Sequence, residues 1–266
     1  MRGGALVLAA SLLAATAAQA RPLRVLSLDQ CADQYVLAIA PDADLFLSPR
    51  ADDPDSRLAW AALAYPQVRP TLETAVGVRP DVVVRTWGGE PRLLAALARR
   101  GARIVDVPDA TEMAEIRTNI RSVAAALDRD AAGARIVARM DARLAQAAHP
   151  PAPGRTALYL TSGGFTAGQG TLIDSILRAA GFANLAGLTG FGAVSVERIA
   201  LEPPRRFLLG FFDQVRADWR GVGRHPVIQT ATRGRVAAAL PASVLTCPAW
   251  FAADAAVMLS RGQGAS

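Results

Sequence analysis

Large aromatic side chains beside glycines recur along the 266 residues of this chain, and they are its best chemical lead. Trp87 precedes Gly88 and Gly89, Phe165 follows Gly163 and Gly164, Phe191 precedes Gly192, and Trp250 stands next to Phe251. A large ring in a glycine-bearing loop gains little from core burial and offers a flat apolar face to a ligand. Each ring taken alone could equally pack between elements, because aromatics dominate cores as well as sites. Four of them in comparable loops point to a ligand cleft.

Catalytic chemistry finds little support. All basic residues are Arg, which removes a Schiff-base lysine, a P-loop lysine and a lysine general base. His149 sits in a proline-rich break and His225 before Pro226, neither at metal-ligand spacing from another His or a Cys. A Gly-x-Ser-x-Gly elbow is missing. The stretch from Gly163 to Thr171 invites a phosphate-loop reading, but Gln169 stands where Lys is needed and Ile173 where the last Rossmann glycine belongs. Its backbone N–H groups remain candidates for holding an anion or a ligand carbonyl. Asp52 and Asp53 read as a helix-capping loop. No catalytic residue, metal set or cofactor is therefore expected.

The N-terminus predicts export. Met1 to Ala20 holds one charge, Arg2, then an apolar run from Ala5 to Ala15, then Ala18-Gln19-Ala20. That is a signal peptide cleaved after Ala20; the run is too short to span a bilayer. No lipobox cysteine follows, so a free protein of the periplasm is expected. Removing Arg2 from the 29 Arg leaves 28 against 23 acids, or +5. The arginines are scattered, which reads as a solvated surface, and nucleic acid is not an expected partner. An oxidising compartment permits a bridge between Cys31 and Cys247 and permits two free thiols as well.

These residues need elements to hold them. Short β-like runs alternate with helices, the pattern of α/β lobes. Strands are expected at Arg24 to Leu28, Leu45 to Leu47, Asp81 to Arg85, Arg103 to Val107, Thr156 to Leu160, Arg206 to Phe212 and Val244 to Cys247. Helices are expected at Ala32 to Ala40, Pro54 to Ala64, Pro91 to Arg99, Thr171 to Ala179 and Ala249 to Ser260. Between Thr111 and Ala148 the apolar residues keep helical spacing, with a break near Asp128-Arg129-Asp130. The prolines after His149 end that run. The expected organisation is a leader at 1–20, an α/β lobe at 21–110, a connecting helix and a following helix at 111–150, and a second α/β lobe at 151–266.

An internal repeat supports two lobes. Thr71-Leu72-Glu73 precedes Pro80 and a strand; Ser195-Val196-Glu197 precedes Pro204 and a strand. Thr71 and Ser195 suit helix N-caps, and each glutamate falls in the first turn, where the helix dipole favours an acid.

In the order and spacing of these pieces the chain resembles the helical-backbone periplasmic binding proteins that serve vitamin B12 and ferric-siderophore ABC importers. Arg24 to Leu28, Glu73 to Trp87 with Arg79-Pro80-Asp81-Val82-Val83-Val84, the Thr111 helix, Gly164 to Gly168 and Val194 to Glu197 carry the likeness. The resemblance implies an α/β fold of two Rossmann-like lobes joined by a long rigid α-helix, here Glu112 to Leu127, with the ligand cleft between the lobes. It implies capture of a metal chelate, a corrinoid or a ferric siderophore, by Gln30, Arg50, Trp87, Phe165, Phe191 and Trp250. It also implies that Glu73 and Glu197 dock on an inner-membrane permease dimer, and that the protein acts as a monomer and not as an enzyme. Trp87, Phe191 and Trp250 fall where vitamin B12-binding members clamp the corrin. The loop Ser48-Pro49-Arg50 lacks that pattern's tyrosine, and Val68-Arg69 replaces a tryptophan. Heme-type members offer His or Tyr to iron, and neither histidine here lies in an expected cleft loop. An exported enzyme on a two-lobed scaffold and a non-transport envelope sensor are the alternatives.

Overall fold

The computed structural model describes residues 21–150, 154–214 and 220–262. The expected leader and Pro151 to Pro153 of the proline-rich boundary lie outside the described residues.

Lobe one is built on β1 (Arg24–Ser27), β2 (Asp44–Phe46), β3 (Val82–Arg85) and β4 (Arg103–Asp106), all parallel, in the order β2-β1-β3-β4. Between the strands run α1 (Gln30–Ile39), the short α2 (Ala59–Ala62), α3 (Leu72–Val78) and α4 (Pro91–Ala98). Each start has a local cause. Asp29 caps α1, Thr71 caps α3, and Pro91 opens α4, where its missing N–H is harmless. Val82 to Val84 are fully buried, as a central parallel strand requires.

Two helices follow, α5 (Met113–Ala126) and α6 (Asp130–Ala147). A capping box between Glu112 and Glu115 starts α5. The two pack closely: a Cβ added at Gly133 would lie 2.5 Å from that of Ala124, so only glycine fits there. The expected connector, Glu112 to Leu127, is α5, which packs on α1 of lobe one and meets Ser175 and Arg178 of lobe two through Glu112 at its head. The helix that runs into lobe two is α6, whose 18 residues span about 27 Å.

Lobe two contains β5 (Thr156–Thr161), β6 (Phe165–Ala167), α7 (Leu172–Ala179), β7 (Ala183–Asn184), β8 (Phe191–Ala193), α8 (Val196–Leu201), β9 (Phe207–Gly210), α9 (Pro226–Thr232), β10 (Val236–Leu240) and α10 (Ala252–Arg261). Its parallel sheet has the order β10-β9-β5-β7. Read from the other edge, β7-β5-β9-β10 repeats the plan of lobe one strand for strand. Strands β6 and β8 form a separate antiparallel ribbon.

Two expected elements differ. Only Ala59–Ala62 of the Pro54 to Ala64 helix forms, because the Asp53 carboxylate accepts from the Asp55 N–H and holds a turn. Val244 to Cys247 is not a strand: Ala242 to Val244 makes a 3-10 turn after Pro241, and the Thr246 N–H returns to the Ala242 carbonyl. The edge strand is β10, whose three alanines hide its β character.

One continuous apolar core joins the lobes through α1, α5, α6 and α10. Cys31 at the start of α1 and Cys247 beyond β10 form a disulfide, with Cα atoms 5.3 Å apart. Since α1 begins just past the carboxyl end of β1, this bridge sets the carboxyl ends of the two sheets beside each other. The Tyr35 hydroxyl donates to the Pro248 carbonyl at 2.8 Å across the same junction.

Candidate functional site

Open parallel sheets bind ligands beyond the carboxyl ends of their strands, where the strand order reverses. Here those points lie between β1 and β3 in lobe one and between β5 and β9 in lobe two.

In lobe one the switch point is organised by a fully buried carboxylate. Asp29 caps α1 through the Ala32 N–H at 2.9 Å. It also accepts from the N–H groups of Thr86, Trp87 and Gly88 at 2.8, 3.2 and 2.9 Å, and from the Thr86 hydroxyl. Gly88 is required for this approach, since a Cβ there would lie 2.4 Å from the Leu28 carbonyl oxygen. The loop is thus pinned at its base while the Trp87 ring stays 66% exposed. One turn along α1, Asp33 is also buried and accepts from the Ser48 N–H at 3.0 Å and from the Ser48 hydroxyl, fixing the loop after β2. Burial pushes the Asp33 pKa up to about 6; the Ser48 hydrogen bonds oppose that rise and the nearby Asp29 adds to it.

In lobe two the ribbon does the positioning. Phe165 pairs with Ala193 and Ala167 with Phe191, so the two rings share one face of the ribbon. They are 54% and 72% exposed. They line a hollow of about 470 Å³ with Tyr159, Thr161, Ser162, Gly163, Phe211 and Gln214. Phe211, just past β9, has φ +61°, a left-handed conformation costly for an aromatic residue. The Ser162 hydroxyl donates to its carbonyl at 3.1 Å. Burial raises the pKa of Tyr159, which keeps the phenol protonated.

The predicted residues therefore have distinct settings. Phe165 and Phe191 come together, and Trp87 stands exposed at the switch point of the other lobe. Gln30 is buried and donates to the Ser56 hydroxyl at 2.8 Å. Arg50 pairs with Asp53 at 2.7 Å and remains largely exposed at the end of the Ser48 loop. Trp250 packs edge-on against Tyr35 and Phe251, with centroids 5.9 and 5.3 Å apart. It lines a different hollow with Leu37, Leu58, Met140 and Arg143. In the loop from Gly163 to Thr171, the N–H groups of Gly164, Gly168 and Gln169 bond to Thr161, Gly190 and Leu188, and Thr171 caps α7. Sequence reasoning missed Asp29, Asp33, Tyr159 and Phe211. The first two had a signal, two acids one turn apart on a helix that is otherwise buried.

Glu73 and Glu197 are both exposed in the first turns of α3 and α8, helices capped by Thr71 and Ser195. Backbone and Ser195 hydrogen bonds hold the Glu197 pKa below its usual value, with His225 adding a small pull.

A family model described as periplasmic binding protein matches residues 64–209, more than half of the chain. No curated protein matches it. Among solved structures it is similar to the periplasmic heme-binding protein BhuT in complex with two hemes, with 24% identity over 90% of this chain and 97% of that one, at a TM-score of 0.67. It is also similar to the periplasmic heme-binding protein HutB of Vibrio cholerae, with 16% identity over 90% and 98%, at a TM-score of 0.72. A third is the periplasmic vitamin B12-binding protein BtuF of Vibrio cholerae, with 22% identity over 92% and 97%, at a TM-score of 0.63. These likenesses show the fold, two α/β lobes connected by long helices. With the family model spanning the second half of lobe one, both helices between the lobes and the switch point of lobe two, the chain belongs to the periplasmic binding protein family.

Proposed function

We propose that this protein is the periplasmic substrate-binding component of an ABC importer for a metal chelate. It captures a corrinoid or a ferric siderophore between its lobes and delivers it to an inner-membrane permease dimer. The signal peptide is removed after Ala20, and the mature chain works as a monomer of two lobes, 21–110 and 151–266, around the helices of 111–150.

The observation that carries this reading is the exposed Phe165–Phe191 face at the switch point of one lobe, with exposed Trp87 at the switch point of the other. Large exposed rings at two facing switch points suit a broad, flat ligand. Arg50 adds an exposed guanidinium to the cleft, while Gln30 and Trp250 back its wall from the Ser56 contact and from the Tyr35 junction. Stacking and a few hydrogen bonds do the binding, without protein–metal bonds. Tyr159 is the phenol on the lining of the Phe165–Phe191 hollow, and its raised pKa makes it a poor iron ligand. His225 caps α9 through the Val227 N–H, and His149 lies against the Ala147 carbonyl.

The test is tryptophan fluorescence titrated with cobalamin, cobinamide, ferric siderophores and heme, the last because similar structures are named for it. Saturable quenching by at least one corrinoid or ferric siderophore, reduced in Trp87→Phe, is expected. Quenching by none of them would sink the ligand assignment, and binding of heme alone would replace it.

A further inference from the structure

We propose that lobe two carries a second binding site at its far end, where Arg155, Arg205 and Arg206 hold a phosphate group. Arg155 immediately precedes β5 and Arg206 immediately precedes β9, so both stand at the amino ends of the two central strands. The chelate cleft lies at the carboxyl ends, about 20 Å away along a six-residue strand. The site is independent of what the cleft binds.

The three arginines surround a hollow of about 390 Å³ whose other lining residues are Gly154 and Phe182. Among the described residues, no carboxylate lines it. Among the described residues, none of the ion pairs includes Arg155, Arg205 or Arg206. Glu202 lines the adjoining hollow with Arg205 but pairs with none of the three. Arg155 is held firmly. Its guanidinium carbon lies 4.8 Å from the Phe182 ring centroid, and one Nη donates to the Ala180 carbonyl at 2.7 Å. Its Nε is buried with no hydrogen-bond partner. Burial also lowers the Arg155 pKa, the mark of a cation left without an opposing charge.

Three guanidinium groups kept together around one hollow repel one another unless an anion joins them. Gly154 leaves the space open, because a Cβ there would sit 3.1 Å from an Arg205 Nη. Guanidinium forks match the oxygen spacing of phosphate and bind it with paired hydrogen bonds. The phosphate can come free in solution or on a phospholipid headgroup, and both present the same oxygens.

The experiment uses the full mature chain. Inorganic phosphate is titrated calorimetrically at constant ionic strength in chloride buffer, and co-sedimentation is measured with phosphatidylglycerol/phosphatidylcholine vesicles against phosphatidylcholine alone. Wild type is expected to bind phosphate at millimolar concentration or below, and Arg205→Gln/Arg206→Gln to bind at least tenfold more weakly with an unchanged melting temperature in chloride. Sedimentation with phosphatidylglycerol vesicles that the double variant loses assigns the headgroup as source; phosphate binding without sedimentation assigns the free ion. If the double variant melts early, Arg205→Gln alone serves, since that exposed side chain makes no hydrogen bond among the described residues, and a severalfold loss is expected. Absence of both phosphate heat and vesicle binding in wild type, or equal binding by the variants, overturns the site.

Discussion

Trp87 can stack on a ligand only if its loop is held still, and Asp29 holds it by accepting from the three successive N–H groups of Thr86, Trp87 and Gly88. Asp33 does the same for the Ser48 loop, but from a site that disfavours its charge. Its folded pKa, about 6, lies above the ordinary carboxylate value of 3.8. A raised carboxylate pKa favours the folded state below the unfolded pKa, and that stability is lost as pH rises from about 4 through about 6. The span corresponds to about 3 kcal/mol. Asp33→Asn keeps an acceptor for the Ser48 N–H and removes the titration. Denaturation measured from pH 4 to 7.5 should then show a flatter stability profile and a gain at neutral pH. A profile parallel to wild type would contradict this role for Asp33. The exposed rings were legible in sequence because glycines flank them. The carboxylates that position them were not, because Asp29 meets Thr86 to Gly88 some 57 residues away, and only folding reveals that distance closed.

Among the elements, the local signals were the readable ones. Thr71, Thr171 and Ser195 announce helices α3, α7 and α8 because a cap is a matter of a few adjacent residues. The β6–β8 ribbon gave no such signal: its strands are three residues each, and Phe165 finds Ala193 only across the α7 connection. The Cys31–Cys247 pairing, open in the sequence, closes a loop of 216 residues across the two lobes. A cross-link of that span contributes between about 2 and 5 kcal/mol. Cys31→Ser/Cys247→Ser should therefore unfold at lower denaturant with native-like circular dichroism beforehand. Equal midpoints for the variant and the oxidised wild type would show that the bridge adds nothing.

For the whole molecule, the lobes are tied at several points. Besides the disulfide, Glu112 at the head of α5 meets Ser175 and Arg178 on α7, and Asp254 on α10 bridges Arg57 of lobe one to Arg143 of α6. With a common apolar core beneath, ligand capture should involve little lobe movement, and recognition by the permease must read the surface of a nearly fixed body. Glu73 and Glu197, exposed in equivalent places on the duplicated lobes, are the proposed docking points. The double variant Glu73→Ala/Glu197→Ala should bind chelate normally yet lose uptake in cells that depend on this protein; uptake equal to wild type would remove the docking role. The central claim is that a chelate lies on the Phe165–Phe191 face. It is tested most directly by calorimetry of the tightest-binding corrinoid or ferric siderophore on wild type and Phe165→Ala/Phe191→Ala. Two lost stacking contacts predict about 10- to 100-fold weaker binding, at about 1.4 kcal/mol per factor of ten. An unchanged affinity in the variant would contradict the account.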